Sequence, residues 1–143
     1  MHSVERSVLV PFSAAKMFDL VAEVEKYPEF MPWCGGAVVS ERTEHGMRAS
    51  ITIALAGVRQ SFSTQNRHDY PHTIELELVD GPFSALTGKW SFVVLEQEAC
   101  KVLFTLNYAF SSRTLETLVG PIFNRIASSF IDSFTQRAHA IYD

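Results

Sequence analysis

The sequence is poor in the residue types that build disulfide frameworks, metal centres and nucleic-acid surfaces. Its two cysteines, Cys34 and Cys100, lie far apart and outside any Cys-x-x-Cys pair, so the sequence predicts neither a zinc site nor a disulfide. The formal net charge is -4, which disfavours general attraction to nucleic-acid phosphates or anionic lipids. We therefore expect reduced cysteines, no metal, no DNA partner and at most transient membrane contact.

Long apolar runs are also missing. No uncharged apolar segment approaches the roughly 18 residues that a membrane span needs, and the only apolar stretch near the amino terminus is 8–12. No repeat, low-complexity tract or linker divides the 143 residues, and a chain of this length suits one domain. We expect a cytoplasmic protein with a single domain over 1–143.

The spacing of apolar residues predicts an α+β fold. Alternation around Val4, Val8 and Val10 favours a first strand that ends at Pro11. Ser13 is a candidate N-cap for a short helix, and a second helical turn follows over 24–30. Alternation between turn signals then predicts six strands over 38–43, 47–55, 58–69, 73–79, 85–96 and 100–111.

The last segment has the periodicity of a long amphipathic helix. Its apolar stripe runs over 113–142, and Gly120-Pro121 is expected to bend or break the helix because proline lacks an N–H. A strand, two short helices, six strands and a long helix together predict the helix-grip architecture, in which a curved antiparallel sheet wraps around the C-terminal helix.

Three motifs carry a resemblance to a known family. They are Tyr-Pro-Glu-Phe-Met-Pro-Trp-Cys at 27–34, Asp-Gly-Pro-Phe at 80–83 with Leu86 and Trp90, and Arg137-Ala138 near Tyr142. The sequence resembles the START-like family of coenzyme Q-binding proteins and RatA ribosome association toxins, within the polyketide cyclase/dehydrase superfamily. The resemblance implies an apolar cavity between sheet and final helix that binds a polyprenyl quinone, with no metal and no established catalytic residue.

Acid–base and nucleophilic motifs are absent. The five histidines form no triad motif, and the neighbours His68 and Asp69 should point to opposite faces of their strand. A cyclase-like enzyme would need an acid or base in the cavity, for which only Tyr108 and some polar strand residues are available. We therefore expect a protein that is not an enzyme and has no catalytic residues.

Aromatic side chains dominate the phases that should face the core. From the residues alone a closed core and a ligand cavity both remain open, and the resemblance favours the cavity. Phe30 and Trp33 are expected at its mouth, as a lid or a staple for their loop, with an external partner patch as the alternative, and the turn before Phe83 is expected to border the entrance. The predicted wall residues are Phe62, Leu78, Phe83, Trp90, Phe104, Tyr108, Phe123, Ile126 and Phe130.

The strand over 58–69 places polar side chains on its inward face. Gln60, Thr64 and Asn66 share that face with Val58 and Phe62, and a dry core would leave them without hydrogen bonds. Either a ligand headgroup or waters satisfy them, or the strand lies near a sheet edge and its face is partly wet.

Two functions follow from the resemblance. The first is noncatalytic binding of a hydrophobic small molecule, an isoprenoid quinone such as ubiquinone, in support of respiratory electron transport, with no cofactor beyond that bound lipid. The alternative is a RatA-like protein that binds the large ribosomal subunit and blocks subunit association. A modest basic patch for that partner would consist of Arg42, Arg48, Arg59 and Arg67.

Overall fold

Seven strands form one antiparallel sheet in the computed structural model, which describes residues 1–143. The order across the sheet is β1-β7-β6-β5-β4-β3-β2, so β1 and β2 are its edges. The strands are β1 His2–Val10, β2 Cys34–Thr43, β3 Gly46–Leu55, β4 Val58–Asp69, β5 Thr73–Asp80, β6 Phe83–Glu96 and β7 Ala99–Phe110.

Three helical segments complete the fold, namely α1 Ala14–Ala22, a 3₁₀ helix Val24–Glu29, and α2 Arg113–Tyr142. The predicted helix start is confirmed, because the Ser13 hydroxyl accepts a hydrogen bond from the Lys16 amide at 3.2 Å. Ser112 caps α2 in the same way, accepting from the Leu115 amide at 3.1 Å. Each cap satisfies a backbone donor that the first helical turn leaves unpaired.

The prediction that Gly120-Pro121 breaks the last helix is wrong. The α2 helix runs without a break from Arg113 to Tyr142, with Pro121 inside it. Proline removes one backbone hydrogen bond, but Val119 and Phe123 on either side are both buried. Packing on both sides of the dipeptide holds the two halves of the helix in one element.

The predicted helix-grip fold is confirmed in its elements and their order. The α2 helix contacts β1 and β7 and adds Phe123, Ile126 and Phe134 to the buried core. Register shifts interrupt three pairings, between β2 and β3, β4 and β5, and β6 and β7. Shifts of this kind bend strands and increase their twist, which suits a sheet that packs around a helix. None of the helices has the length and apolarity needed to cross a bilayer.

Candidate functional site: an apolar cavity with one polar end

A cavity of about 50 Å³ lies between the inner face of the sheet, the two short helical segments and α2. Sixteen of its eighteen lining residues are hydrophobic. The lining comprises Val21, Val24, Tyr27, Met47, Ala49, Ile51, Phe62, Thr64, Asn66, Ile74, Leu76, Leu86, Trp90, Phe104, Leu106, Phe123, Phe130 and Phe134.

The structure brings five of the predicted wall residues together around this cavity. They come from β4, β6, β7 and α2, which are the elements that the predicted fold places around the core. The five are Phe62, Trp90, Phe104, Phe123 and Phe130.

Phe83 and Tyr108 lie outside the lining, in a buried aromatic cluster. The Phe83 ring centroid is 4.9 Å from that of Phe123 and 5.1 Å from that of Phe110. The Tyr108 hydroxyl donates to Asn124 Oδ1 at 3.1 Å, and burial raises the pKa of this phenol. Phe83 is only 5% exposed, so the structure places it in packed core instead of at an entrance.

Phe30 and Trp33 also stand one layer behind the lining. The Trp33 ring centroid lies 5.5 Å from that of Phe130, and the Phe30 centroid lies 5.7 Å from that of Phe134. Trp33 is 6% exposed, whereas Phe30 is only partly buried, so the Trp33 ring packs inward as a staple for the loop does. The same motif supplies Tyr27 to the lining directly.

Leu78 and Ile126, the last two predicted wall residues, are not in the lining either. Ile126 is 2% exposed and belongs to the core, whereas Leu78 is partly buried against it. Sequence reasoning also missed several residues that do line the cavity, among them Val24, Tyr27 and Phe134. The apolar stripe of α2 could have indicated Phe134, since it includes that position.

Thr64 and Asn66 form the polar end of the cavity. They are 6% and 4% exposed, and the Thr64 hydroxyl donates to Asn66 Oδ1 at 2.7 Å. β4 is not itself an edge strand, because it lies between β3 and β5, but it is the third strand from the edge formed by β2. Gln60, the third polar residue on this face, is only partly buried and lies outside the lining.

Tyr27 is the only titratable residue in the lining. Burial raises the pKa of its phenol, and its hydroxyl donates to the Val21 carbonyl. A phenol held neutral in this way is a poor general base at neutral pH. His68, Glu75 and Glu77 lie outside the cavity, and no cluster of three or more His, Cys, Asp or Glu side chains is arranged to hold a metal ion.

The arginines expected to form a basic patch are mostly paired with carboxylates. Arg42 donates to Glu25 at 2.9 Å, Arg48 lies 3.6 Å from Glu41, and Arg67 pairs with Glu75. The remaining member, Arg59, makes no ion pair. Three of the four arginines thus share their charge with a carboxylate, and the basic patch stays a prediction.

A family profile matches most of the chain. The profile of the "Polyketide cyclase / dehydrase and lipid transport" family matches residues 10–135. The chain belongs to this family. The family description joins enzymatic and lipid-transport members, and an apolar cavity between sheet and helix fits the second of these.

Among relatives of this family member, the "Ribosome association toxin RatA" of Vibrio cholerae is 44% identical over 142 residues, which is 99% of each chain. The mitochondrial "Coenzyme Q-binding protein COQ10 homolog B" of Xenopus laevis is 24% identical over 140 residues, covering 95% of this chain and 57% of that protein.

A solved structure of similar fold is the Zhui aromatase/cyclase from Streptomyces sp. R1128. It aligns with a TM-score of 0.86 over 99% of this chain and 96% of its own, at 14% sequence identity. At that identity the likeness concerns the fold alone.

Proposed function

We propose that this protein is a noncatalytic, cytoplasmic ribosome association factor that binds the large ribosomal subunit and hinders subunit joining. The observation that carries this proposal is the 44% identity to a protein named ribosome association toxin, over 99% of both chains. Identity of 44% over nearly the whole chain involves surface residues as well as core residues. A partner as large as a ribosome is recognised through the protein surface.

The size of the cavity supports a surface function. Pockets that enclose drug-sized ligands occupy about 300–1,000 Å³, whereas this cavity occupies about 50 Å³. In this conformation it takes little more than water-sized groups. A function that depends on surface contacts needs no enlargement of the cavity.

The charge distribution indicates what kind of contact to expect. The net charge is -4 and three of the four arginines of the predicted basic patch are paired with carboxylates, so phosphate attraction alone does not supply the affinity. Shape and hydrogen bonding must contribute, and we expect binding to survive moderate salt better than binding by a basic protein would.

Ribosome sedimentation tests this proposal. Purified large and small subunits are mixed with the protein under conditions that favour joining and separated on a sucrose gradient at moderate salt. We expect the joined peak to shrink and the protein to sediment with the large subunit. An unchanged gradient, with the protein left at the top, contradicts the proposal. Bovine serum albumin at the same concentration is the control.

A second candidate function is binding of an isoprenoid quinone in the cavity, in support of respiratory electron transport. It is favoured by the sixteen hydrophobic lining residues and by the distant relative named as a coenzyme Q-binding protein. Burial of a few hundred Å² of prenyl chain, at roughly 25 cal/mol per Å², supplies several kcal/mol before ordering costs. The lining must move to admit such a ligand.

Ligand extraction tests the second candidate. Protein purified from cells is extracted with organic solvent and examined by mass spectrometry for quinones, and the purified protein is titrated with a short-chain ubiquinone. Ala49→Val adds volume to the cavity wall and should reduce uptake, whereas Val38→Phe at an exposed position should not. Absence of both extracted quinone and uptake contradicts this function and leaves the ribosome proposal standing.

A further inference from the structure

The polar end of the cavity is formed by two side chains whose hydrogen-bond donors and acceptors are only partly paired. Sixteen of the eighteen lining residues are apolar, and Thr64 and Asn66 are the two that are not. Both are buried, with exposures of 6% and 4%. A buried polar group without a partner costs free energy, so each donor and acceptor of the pair has to be accounted for.

The pair satisfies itself only in part. The Thr64 hydroxyl donates to Asn66 Oδ1 at 2.7 Å, which fixes the side-chain amide with its oxygen toward Thr64. This is the one hydrogen bond that the Asn66 side chain makes, so the two N–H donors of its NH₂ group have no acceptor within the protein. The nitrogen is not among the fully buried side-chain atoms that lack a partner, so it remains accessible to a small group that enters the cavity. The strand partners of Asn66 are Met47 and Leu76, whose side chains also line the cavity and offer no oxygen acceptor.

We propose that the Asn66 side-chain amide is the polar anchor of the cavity and donates to the carbonyl oxygen of a neutral, otherwise apolar ligand. This inference rests on the second candidate function and names the ligand class that the cavity selects. The partner must accept hydrogen bonds, because the free groups of Asn66 are donors. It is also uncharged, because no charged side chain lines the cavity and a buried carboxylate without a cation is strongly disfavoured.

The class so defined includes quinones and long-chain ketones and excludes free fatty acids and plain hydrocarbons as preferred ligands. Thr64 acts as a positioning residue in this arrangement. Its hydroxyl holds the oxygen of the Asn66 amide and thereby directs the nitrogen toward the ligand.

Three probes with the same alkyl chain separate the contributions of carbonyl and chain. Isothermal titration calorimetry with a decyl-substituted benzoquinone, decylbenzene and 4-decylbenzoate at neutral pH compares a neutral carbonyl, no carbonyl and a carboxylate. The wild-type protein should bind the quinone most tightly. Asn66→Leu should weaken quinone binding about tenfold, as the loss of one hydrogen bond implies, and leave decylbenzene binding unchanged.

Matched variants control for the substitution itself. Gln65→Leu removes the same amide from the adjacent residue of β4, whose side chain is exposed on the opposite face, and should change neither affinity. Thr64→Ser keeps the hydroxyl and should keep the preference for quinone, whereas Thr64→Val should reduce it. Thermal melts establish whether each variant is folded. If Asn66→Leu does not fold, the comparison of Thr64→Ser with Thr64→Val tests the proposal.

The outcomes are distinguishable. Equal weakening of quinone and decylbenzene by Asn66→Leu, or no weakening of either, overturns the anchor. Binding of decylbenzene as tight as quinone by the wild-type protein also overturns it, while ligand binding in the cavity stands. If the wild-type protein binds none of the three probes, the second candidate function and the anchor fall together.

Discussion

The guanidinium carbon of Arg137 lies 4.9 Å from the centroid of the Phe30 ring, and the same side chain donates to Glu29 at 3.1 Å. These contacts join α2 to the end of the 3₁₀ helix. Because Tyr27 of that helix lines the cavity, the interaction of Arg137 with Phe30 and Glu29 holds one wall of the cavity against the long helix.

Replacing Arg137 by methionine keeps an unbranched apolar stem and removes the guanidinium group with its charge. We expect the free energy of unfolding to fall by about 1 kcal/mol, since a cation–π contact and a partly exposed ion pair each contribute less than that. Urea denaturation measures the change. Arg125→Met, at an exposed position of the same helix, should be nearly neutral, and an equal loss in both variants would contradict the role given to Phe30 and Glu29.

Gly81 and Gly57 form a matched pair for testing how closely the turn before β6 packs. Both have a positive φ, of 144° and 81°, so alanine is strained at either. A Cβ at Gly81 would stand 2.6 Å from Phe62 Cβ, whereas one at Gly57 meets nothing within 4 Å. We expect Gly81→Ala to cost roughly 1–3 kcal/mol more than Gly57→Ala, as overpacking does. Thermal or urea denaturation of the two variants decides the matter, and equal costs would show that Phe62 moves freely.

Phe83→Ala should behave as a deletion in a closed core. Its ring packs against Phe123 and Phe110 and lies outside the cavity lining, so we expect a loss of about 3–5 kcal/mol in stability with ligand uptake per folded molecule unchanged. Phe130, which is partly buried and lines the cavity, is the comparison: Phe130→Ala should alter uptake and cost less stability. Reversed results for the two variants would indicate that Phe83, and not Phe130, borders the cavity.

The imidazole of His68 makes stability depend on pH. Burial and, to a lesser degree, the positive charge of Arg42 lower its pKa, and its Nε2 is buried without a hydrogen-bond partner. The unfolded chain therefore binds the proton more tightly than the folded protein does, so the contribution to stability is complete at neutral pH and declines as pH falls below about 6.5.

Melting temperatures at pH 7.5 and 5.5 check this prediction. We expect His68→Gln to show a smaller loss on acidification than the wild-type protein. His45→Gln is the control, because the His45 side chain is 84% exposed. An acid-induced loss of the same size in all three proteins would assign the pH dependence to other groups.

Local chemistry made much of the fold predictable. Alternation identified β3 and β4, and a hydroxyl before an apolar run identified Ser13 as a cap, because these signals act over a few residues. The continuity of α2 through Pro121 was not predictable in this way. It depends on burial of Val119 and Phe123 against strands that lie far away in the sequence.

The apolar character of the cavity was predictable from the sequence, but only some of the residues that line it were. Periodicity indicates that Phe83 and Phe62 both face inward, yet only Phe62 lines the cavity. The difference arises from the register shift between Phe83 and Ala85 and from the position of the helices over the sheet, which no local pattern encodes. Thr64 and Asn66 were identifiable because polar residues on an apolar face depart from a simple pattern.

The pairing of β1 with β7 has a consequence for biosynthesis. His2 lies opposite Tyr108, so the first strand made has no partner until the seventh has been translated, about 5–20 s later at roughly 5–20 residues per second. The thirty residues of α2, which cover the apolar face, come later still. A nascent chain cut short before α2 therefore exposes the inner face of its sheet, and premature termination should yield aggregation-prone fragments instead of a smaller working protein.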